Sequence, residues 1–203
     1  KGMLAGRLKA YLDPLGWDCL LLSKNELDVT NSVQVAQCIK SLLPEAVINT
    51  AALLVENCEK DPKRAFGINA WGVRNLALEC EKRGVCLVQI STSGLFGDEI
   101  RAYNEYDQVA LKTVYAESKY AGEEYARQCA KHFILRLGWL YGGSLGGGKD
   151  FVSARIQEGQ AKKVVQSAGD KYGSPTNAYD VAVTIDKLLV SKQYGLYHLA
   201  NQG

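Results

Sequence analysis

The feature that most constrains the fold of this chain is a series of short, nearly continuous apolar runs. Four of them are DCLLLS (18–23), AVINTAA (46–52), VCLVQIST (85–92) and FILRLGWLYG (133–142). Strands that expose one face alternate apolar and polar residues, whereas strands buried on both faces read as continuous apolar runs. These runs therefore predict buried strands of a parallel sheet.

Amphipathic stretches lie between the apolar runs and predict helices. One follows the capping residues of DVTNS, and the next opens on Asp61 and Pro62, which suit a helix N-terminus. Two later runs, at 162–168 and 194–200, predict further strands with a helix between them. The predicted helices span residues 3–13, 32–43, 62–83, 115–131 and 178–190.

The alternation of strands and helices predicts an α/β fold, a doubly wound parallel sheet of the Rossmann type with helices on both faces. We assign residues 1–142 and 177–203 to a nucleotide-binding domain, and residues 143–176 to part of a small substrate-binding region toward the C-terminus. The chain opens on a glycine turn and a helix, and it stops directly after a strand-like run. We therefore expect segments to be missing at both ends, the first strand among them.

Composition and charge restrict the class of function. The chain has 203 residues, enough for one domain with a sizeable core, and a net charge of +2 with both signs dispersed. It lacks a basic stripe, an apolar run near the roughly 20 residues that span a bilayer, and a signal peptide. Its six cysteines show no metal-ligand spacing, and several lie in apolar runs, as reduced thiols do. We expect a cytoplasmic protein without metal, nucleic acid or membrane partners.

The N-terminal residues KGMLAG place Gly2 and Gly6 around Ala5, at the start of a predicted helix. Such a small-residue turn lets the backbone approach a pyrophosphate, which the N–H groups and dipole of the helix N-terminus then bind. A plain N-terminal turn explains the same residues, so this fragment alone is weak evidence.

Ser23 and Lys24 follow the first predicted strand, about 20 residues after the glycines, where the adenosine ribose of a bound dinucleotide lies. A carboxylate at this place favours the free 2′-hydroxyl of NAD, whereas a hydroxyl and a cation complement the 2′-phosphate of NADP. The pair therefore favours NADP(H), with NAD(H) as the alternative cofactor. A solvated turn with one surface lysine is the other interpretation.

Tyr115 and Lys119 are spaced so that one helical face carries both. Chance alone gives about one such pair in a chain of this composition, so the spacing proves nothing by itself. The pair follows a strand that ends at Ser91 and Thr92. A hydroxyl at a strand end that faces a tyrosine and a lysine is typical of general acid–base catalysis. We expect the ammonium of Lys119 to lower the pKa of Tyr115, which then exchanges a proton with a carbonyl oxygen while a hydride moves at carbon.

The rest of this helix predicts a packed face and a solvent face. Small and apolar residues, Gly122 among them, are predicted to pack on the sheet. The glutamates Glu117, Glu123 and Glu124 are predicted to face water.

The chain resembles the extended short-chain dehydrogenase/reductase superfamily over essentially its whole length. The resemblance rests on the ordered set GMLAG, INTAA, IST, YAESK, LRLGWLYG and YGSPTNAYDVA. Within the superfamily, GSPTNAYDVA and GLYHLANQG resemble the dTDP-4-dehydrorhamnose reductases more than the sugar epimerases. This implies an NADPH-dependent reduction of the 4-keto group of a nucleotide-activated deoxysugar, in the synthesis of dTDP-L-rhamnose or a related polysaccharide precursor.

The resemblance also implies roles for individual residues. Thr92, Tyr115 and Lys119 would form the catalytic triad, in which Tyr115 protonates the keto oxygen and Lys119 also binds the nicotinamide ribose. The predicted substrate-binding residues are Thr92, Ser93, Trp139 and Pro175. The predicted cofactor-binding residues are Gly2, Met3, Leu4, Ala5, Ser23, Lys24, Asp28, Val29, Ala51, Ala52, Leu53, Asn69, Ser91, Tyr115 and Lys119. Trp139 is equally explained as a core aromatic, and Asn69 as an internal anchor of its helix.

Three departures from the family pattern lie around the predicted substrate pocket. STSGLFGDE has Ser93 and Gly94 where the family has an acidic and an aromatic residue, and AALLVE is one residue shorter than usual. GGGKDF lacks an Asn that is common before the Phe. These changes spare the proton-transfer residues and leave the identity of the sugar open.

Two other functions stay open at this point. An epimerase or dehydratase of the same superfamily is one, although dehydratases add an acid where this chain has Ser93. The other is a non-catalytic NADP-binding subunit, like the regulatory subunit of methionine adenosyltransferase. For a reductase we expect a nucleotide-sugar substrate, and a monomer or a homodimer.

Overall fold

A computed structural model of the chain describes residues 2–143, 151–166, 169 and 172–202. The chain divides into two units. The first comprises Lys1–Leu21, Gly138–Lys187 and Leu199–Gly203, and the second comprises Leu22–Leu137 and Leu188–His198. The assignment of 143–176 to a substrate-binding region stays a prediction.

The second unit is built on a four-stranded sheet. Its order is β1 (Ala46–Asn49), β2 (Cys86–Thr92), β3 (His132–Leu137) and β6 (Gly195–Leu199). β1 is parallel to β2, and β2 is parallel to β3, so the carboxyl ends of these three strands share one edge. The predicted α/β fold with a parallel sheet is confirmed, as are the strands predicted at 46–52, 85–92 and 194–200.

Five helices of this unit connect or cover the strands. They are α2 (Ser32–Leu42), α3 (Val55–Lys60), α4 (Pro62–Phe66), α5 (Gly72–Arg83) and α6 (Val114–Ala126). Asn31, Asp61 and Thr113 each accept a backbone N–H of the helical turn that follows them. These caps satisfy donors that a helix N-terminus leaves unpaired. α6 ends at Ala126 rather than at the predicted residue 131.

The helix predicted over 62–83 is interrupted by a π-helical turn at Gly67–Trp71, between α4 and α5. Such turns occur frequently at functional sites. The glycine that follows the turn, Gly72, packs closely, since a Cβ there would lie 2.7 Å from Cγ2 of Val29. The turn contains Asn69, whose side chain is buried.

The core of the second unit lies between α2, α5 and the sheet. It includes Val35, Ile39, Leu76, Cys80, Leu87 and Ile134, and α6 contributes Ala126. Burying a large aliphatic side chain stabilises a fold by about 1.5–3 kcal/mol. The apolar runs of the strands and one face of each helix therefore form this core, as their patterns predict.

The cysteines are consistent with a reduced protein. All six are free, and four of them, Cys58, Cys80, Cys86 and Cys129, are buried. Burial raises the pKa of Cys80 to about 12, so this thiol is an apolar core residue rather than a nucleophile. In the described part of the chain, no helix is long and apolar enough to cross a membrane, and no group of three or more His, Cys, Asp or Glu side chains could hold a metal.

The first unit contains α1 (Met3–Leu12), a short 3₁₀ helix (Asp13–Leu15), β4 (Trp139–Tyr141), α7 (Phe151–Lys162), β5 (Pro175–Asn177) and most of α8 (Ala178–Ser191). β4 and β5 form a two-stranded parallel sheet. The side chain of Arg7 in α1 donates to the carbonyl oxygens of Gly142 at 2.7 Å and Gly143 at 3.0 Å. The sequence patterns predict neither α7 nor β5.

Two predicted strands are wrong, and a third is divided. Residues 18–23 are assigned to no strand of the described chain, and a strand needs a hydrogen-bonded neighbour as well as an apolar pattern. In the run 162–168, α7 continues to Lys162 and the next residue adopts a φ of 57°; residues 167 and 168 lie outside the described residues. The run 133–142 divides at Gly138, where a Cβ would lie 2.0 Å from the carbonyl oxygen of Ser174.

Candidate active site

The end of β2 and the first turn of α6 bring predicted catalytic residues together in the second unit. Thr92 is half-buried, and its hydroxyl accepts the N–H of Gly94 at 3.0 Å. Tyr115 is half-buried on α6 and packs against the buried cluster that contains Leu53 and Cys58. The hydroxyl of Thr92 lies close enough to the phenol of Tyr115 to favour its phenolate. The strand-end hydroxyl and the tyrosine are therefore neighbours, as predicted.

Burial raises the pKa of Tyr115 above its ordinary value, and the neighbouring hydroxyl of Thr92 acts in the opposite direction. A phenol in apolar surroundings holds its proton more strongly because burial disfavours the phenolate. The net shift of the Tyr115 pKa in the protein's own surroundings is therefore upward, and the expected downward shift is wrong. A tyrosine that stays protonated at neutral pH suits the donation of a proton to a carbonyl oxygen.

Lys119 lies one turn after Tyr115 on α6 and is only 3% exposed. Its Nζ donates to the carbonyl oxygen of Ile90 at 2.6 Å. Burial lowers the pKa of Lys119 to about 8, while Glu123 and Cys58 act in the opposite direction. The side chain is therefore held in one place, and it changes charge close to neutral pH.

Asn69 anchors the loop that follows β1. Its Oδ1 accepts the N–H of Leu53 at 2.8 Å, and its Nδ2 donates to the carbonyl oxygen of Leu53 at 3.1 Å and to Oγ of Ser118 at 3.0 Å. Because Ser118 lies between Tyr115 and Lys119 on α6, the π-helical turn connects the β1 loop to the predicted catalytic helix. These contacts support the interpretation of Asn69 as an internal anchor, and a cofactor contact stays a prediction.

Gly122 allows α6 to approach this π-helical turn. A Cβ at this position would lie 2.2 Å from the carbonyl oxygen of Asn69, far inside contact distance. A residue other than glycine would push the helix away from Asn69. Gly122 is buried as predicted, but it packs against the π-helical turn and Val73 of α5 rather than against the sheet.

The end of β1 is fixed to β2 by two buried amides. Nδ2 of Asn49 donates to Oε1 of Gln89 at 2.8 Å, and Oδ1 of Asn49 accepts the N–H of Ala51 at 3.1 Å. Ala51 is half-buried and Ala52 is exposed. The small side chains at this strand end leave the backbone accessible, which fits the predicted approach of a cofactor.

Ser23 and Lys24 lie in an exposed turn with a carboxylate that the sequence analysis did not weigh. Oε2 of Glu26 accepts both the N–H of Ser23 at 2.7 Å and its hydroxyl at 2.6 Å. Nζ of Lys24 lies 3.8 Å from Asp28, and its side chain is 67% exposed. An exposed pair of this kind is weak, so Lys24 can turn toward an incoming anion.

Four predicted cofactor-binding residues have side chains engaged inside the protein. Leu4 and Leu53 are buried, and Val29 packs at Gly72. The hydroxyl of Ser91 donates to Oε1 of Glu123 at 2.6 Å. At these positions the backbone offers more to a cofactor than the side chain does.

Gly2, Met3, Leu4 and Ala5 form the N-terminus of α1 in the first unit. Gly2 is the N-cap and provides no side-chain acceptor, so the N–H groups of the first turn have no cap. Uncapped N–H groups suit an anionic ligand such as a pyrophosphate. A Cβ at Gly2 or Gly6 would meet nothing within 4 Å, so the protein's own packing does not require glycine at either position.

Two predicted substrate-binding residues also lie in the first unit. Trp139 on β4 pairs with Pro175 on β5, and its ring lies so close to Gly173 that a Cβ there would be 2.5 Å away. Trp139 is 50% exposed, so its interpretation as a core aromatic is wrong. Ser93, in the second unit, exposes its side chain and donates its N–H to the carbonyl oxygen of Leu137 at 2.8 Å.

A buried ion pair that the sequence patterns did not predict joins the helix of Tyr115 and Lys119 to β3. Nε and Nη2 of Arg136 donate to the two carboxylate oxygens of Glu123 at 2.9 Å and 2.7 Å. Both residues are buried, so the prediction that Glu123 faces water is wrong. A signal was present, because Glu123 shares a helical face with Tyr115 and Lys119, and Arg136 is the single charge in FILRLGWLYG.

A parallel sheet with Thr92 at a strand end, next to a helix that presents Tyr115 and Lys119 on one face, defines a short-chain dehydrogenase/reductase. More narrowly, the chain belongs to the family described as the RmlD substrate binding domain, whose model matches residues 1–203. The resemblance seen in the sequence is thereby confirmed.

Individual relatives agree with this assignment. The chain is 34% identical over 205 residues to the spore coat polysaccharide biosynthesis protein SpsK of Bacillus subtilis, covering 100% of this chain and 71% of SpsK. It is 32% identical over 211 residues to the dTDP-4-dehydrorhamnose reductase of Streptomyces griseus, covering 100% and 68%. The crystal structure of dTDP-4-dehydrorhamnose reductase from Bacillus anthracis in complex with NADP matches with a TM-score of 0.93 and 38% identity, covering 100% and 72%.

Proposed function

We propose that this protein reduces the 4-keto group of a nucleotide-activated deoxysugar with NADPH, as a dTDP-4-dehydrorhamnose reductase. The product would enter the synthesis of dTDP-L-rhamnose or a related polysaccharide precursor. The observation that carries the proposal is the half-buried phenol of Tyr115, kept protonated by its surroundings and placed beside the hydroxyl of Thr92. The named reductase relatives and the NADP complex of the Bacillus anthracis enzyme support the substrate class and the cofactor.

The chain's own residues fit a dinucleotide. The uncapped N–H groups that follow Gly2 suit the pyrophosphate, and Lys24 suits the 2′-phosphate. Ala51 and Ala52 leave room for the backbone approach, and Lys119 offers an ammonium for ribose hydroxyls. When bound, NADPH supplies the hydride of the reduction.

Tyr115 provides the proton that the reduced carbonyl oxygen takes up. Its O–H bond breaks as a new O–H bond forms on the substrate, and solvent later returns a proton to the phenolate. Thr92 positions the substrate oxygen beside the phenol, and the positive charge of Lys119 stabilises the phenolate left behind. The exposed ring of Trp139, with Ser93 and Pro175, is proposed to contact the sugar nucleotide.

The direct test mixes purified protein with NADPH and a panel of 4-keto nucleotide sugars and follows the absorbance loss of the reduced nicotinamide. We expect turnover with dTDP-4-dehydrorhamnose or a close analogue. NADPH binding without turnover on any sugar, together with a stoichiometric larger partner in a pull-down, would contradict the proposal and favour a regulatory subunit.

Lys24→Glu is expected to weaken NADPH binding far more than NADH binding, because the 2′-phosphate loses a cation and meets a carboxylate. A hydrogen bond to a charged group contributes about 1.5–3 kcal/mol, so the NADPH Kd should rise roughly 10- to 100-fold. Fluorescence titration with both cofactors measures the two Kd values. Lys40→Glu, the same charge change at an exposed residue of α2, is the matched control. Equal losses for NADPH and NADH would reject the assignment of Lys24.

The kcat/KM for NADPH is expected to fall as the pH rises through about 8, the pKa of Lys119. Below this pH the side chain carries the charge that the proposed mechanism uses, and above it the charge is lost. Lys119→Arg keeps the charge at all these pH values, so the fall of kcat/KM near pH 8 should disappear in this variant. Lys40→Arg should show the same fall as the wild type. A limb that stays at the same pH in Lys119→Arg would show that another group titrates.

Free cysteines support a reducing compartment, and we propose a cytoplasmic location on that basis. Cell fractionation tests the location. Light scattering of the purified protein distinguishes the monomer from the proposed homodimer.

A further inference from the structure

Residues 90–92 of β2 each lie against a different residue on one face of α6. The carbonyl of Ile90 accepts from Lys119 at 2.6 Å, and the hydroxyl of Ser91 donates to Glu123 at 2.6 Å. The hydroxyl of Thr92 lies beside the phenol of Tyr115. The three α6 residues follow one another at intervals of four, so they lie in one row along the helix. Two members of this row have a place in the proposed reaction, and Glu123 does not.

The side chain of Glu123 makes more hydrogen bonds than the side chains of the other two residues in the row, Tyr115 and Lys119. Its side chain is 0% exposed and accepts two parallel hydrogen bonds from Arg136 of β3, whose side chain is 2% exposed. Nη2 of Arg127 lies 3.5 Å from the same carboxylate. Paired bonds of this kind fix both distance and orientation. A shift of α6 along β2 or β3 would break them together.

A buried ion pair usually adds little to the free energy of unfolding. Removing both charges from water is costly, and apolar residues of similar volume often serve as well or better. Arg136 also reaches beyond the pair, since its guanidinium lies 5.4 Å from the ring centre of Phe96 and 3.4 Å from Nε2 of His198. The pair therefore joins the catalytic helix to the sheet and to the loop that follows Thr92.

Glu123 also acts on the charge of Lys119, one turn before it. The titratable groups that act on Lys119 are Glu123 on its own helix and Cys58 on α3. Burial lowers the pKa of Lys119, and the negative charge of Glu123 opposes that effect. The guanidinium groups of Arg136 and Arg127 both face the carboxylate of Glu123.

We propose that Glu123, held by Arg136 and Ser91, is the positioning residue of the catalytic helix: it keeps Lys119 in place against β2 and in its ammonium form. This inference rests on the proposed function, because Lys119 is given its role there. Glu123 touches neither substrate nor cofactor in this proposal and acts through the placement of α6 and the charge of Lys119.

The test measures the pKa of Lys119 by NMR, with lysine labelled at Cε and the Lys119 resonance assigned by its absence in Lys119→Arg. In Glu123→Gln we expect that pKa to fall by about one unit, because the favourable charge is gone. Glu124→Gln removes an exposed carboxylate next to it in the sequence and should leave the pKa unchanged. An unchanged pKa in Glu123→Gln would overturn the proposal.

Turnover measurements separate position from charge. Glu123→Gln is expected to lower kcat about 10-fold and to move the alkaline limb of kcat/KM for NADPH to lower pH. Glu123→Asp keeps the charge but draws the carboxylate back, so kcat should fall while the pKa of Lys119 changes little. It is also the variant to measure should Glu123→Gln fail to fold, and a wild-type kcat in Glu123→Asp would overturn the positioning role.

The two readouts also distinguish this inference from the proposed function. The NMR titration needs no substrate, so it tests the link between Glu123 and Lys119 whatever the protein reduces. Wild-type protein that reduces no 4-keto sugar would contradict the proposed function, and a shifted Lys119 pKa in Glu123→Gln would still support the link.

Discussion

Tyr115→Phe is expected to lower turnover by about 100-fold or more while leaving the affinity for NADPH nearly unchanged. A positioned general acid contributes roughly 10²–10⁴-fold to such a reaction, and phenylalanine keeps the ring while removing the proton. The ring packs against the cluster of Leu53 and Cys58, so the fold should tolerate the change. A loss confined to kcat and kcat/KM, with an unchanged NADPH Kd, is the signature of an interaction made in the transition state.

The experiment compares steady-state turnover and NADPH Kd in three proteins: wild type, Tyr115→Phe and Tyr120→Phe. Tyr120 lies on the same helix and is also half-buried, so its variant controls for the loss of a hydroxyl from α6. Wild-type turnover in Tyr115→Phe would reject the mechanism. A similar loss in both variants would point to a disturbed helix rather than to proton transfer.

The fold could be predicted where a local pattern decides the structure. The runs that became β1 and β2 are apolar enough to be buried on both faces, and caps such as Asn31 and Thr113 mark helix starts. Residues 18–23 have the same apolar character but no strand assignment in the described chain. A strand requires a partner, and partners are set by residues far away in the sequence.

The same distinction applies to the candidate site. Thr92, Tyr115 and Lys119 could be identified because a strand end and the next helix are adjacent in this topology. The direction of the Tyr115 pKa shift could not be predicted from the sequence, because burial depends on tertiary packing. Glu123 looked like a surface residue for a related reason, since its burial is made tolerable by Ser91 and Arg136, which are distant in the sequence.

The loop that follows Thr92 departs from the family pattern at Ser93 and Gly94. Leu95 is fully buried, and Phe96 stacks on Tyr103 with ring centres 4.6 Å apart. This packing gives the segment after Thr92 a defined shape built from apolar and aromatic residues. We therefore expect this loop, rather than the predicted proton-transfer residues, to determine which sugar is reduced.

Asn69→Leu is expected to destabilise the protein by about 1–3 kcal/mol, because it leaves the buried N–H of Leu53 without a partner. Leucine branches at the same atom as asparagine and is larger, so a cavity is not the cause. The Leu53 carbonyl and the Ser118 hydroxyl would each lose one hydrogen bond, but they keep Sγ of Cys58 at 3.3 Å and the carbonyl of Tyr115 at 3.0 Å. An unsatisfied buried group costs about 1–3 kcal/mol, which sets the expected loss.

Urea unfolding measures this effect as a lower midpoint at an unchanged m-value. Asn57→Leu, at an exposed position of α3, should change stability by no more than about 0.5 kcal/mol and serves as the control. A midpoint for Asn69→Leu equal to that of Asn57→Leu would show that these hydrogen bonds contribute little.

The same variant also tests what the anchor does for function. Asn69 ties the loop after β1 to the helix of Tyr115 and Lys119, so its loss should raise the NADPH Kd and lower kcat together. Tyr115→Phe, in contrast, should change kcat alone. The two variants should differ in this way if Asn69 places the reacting groups and Tyr115 supplies the proton.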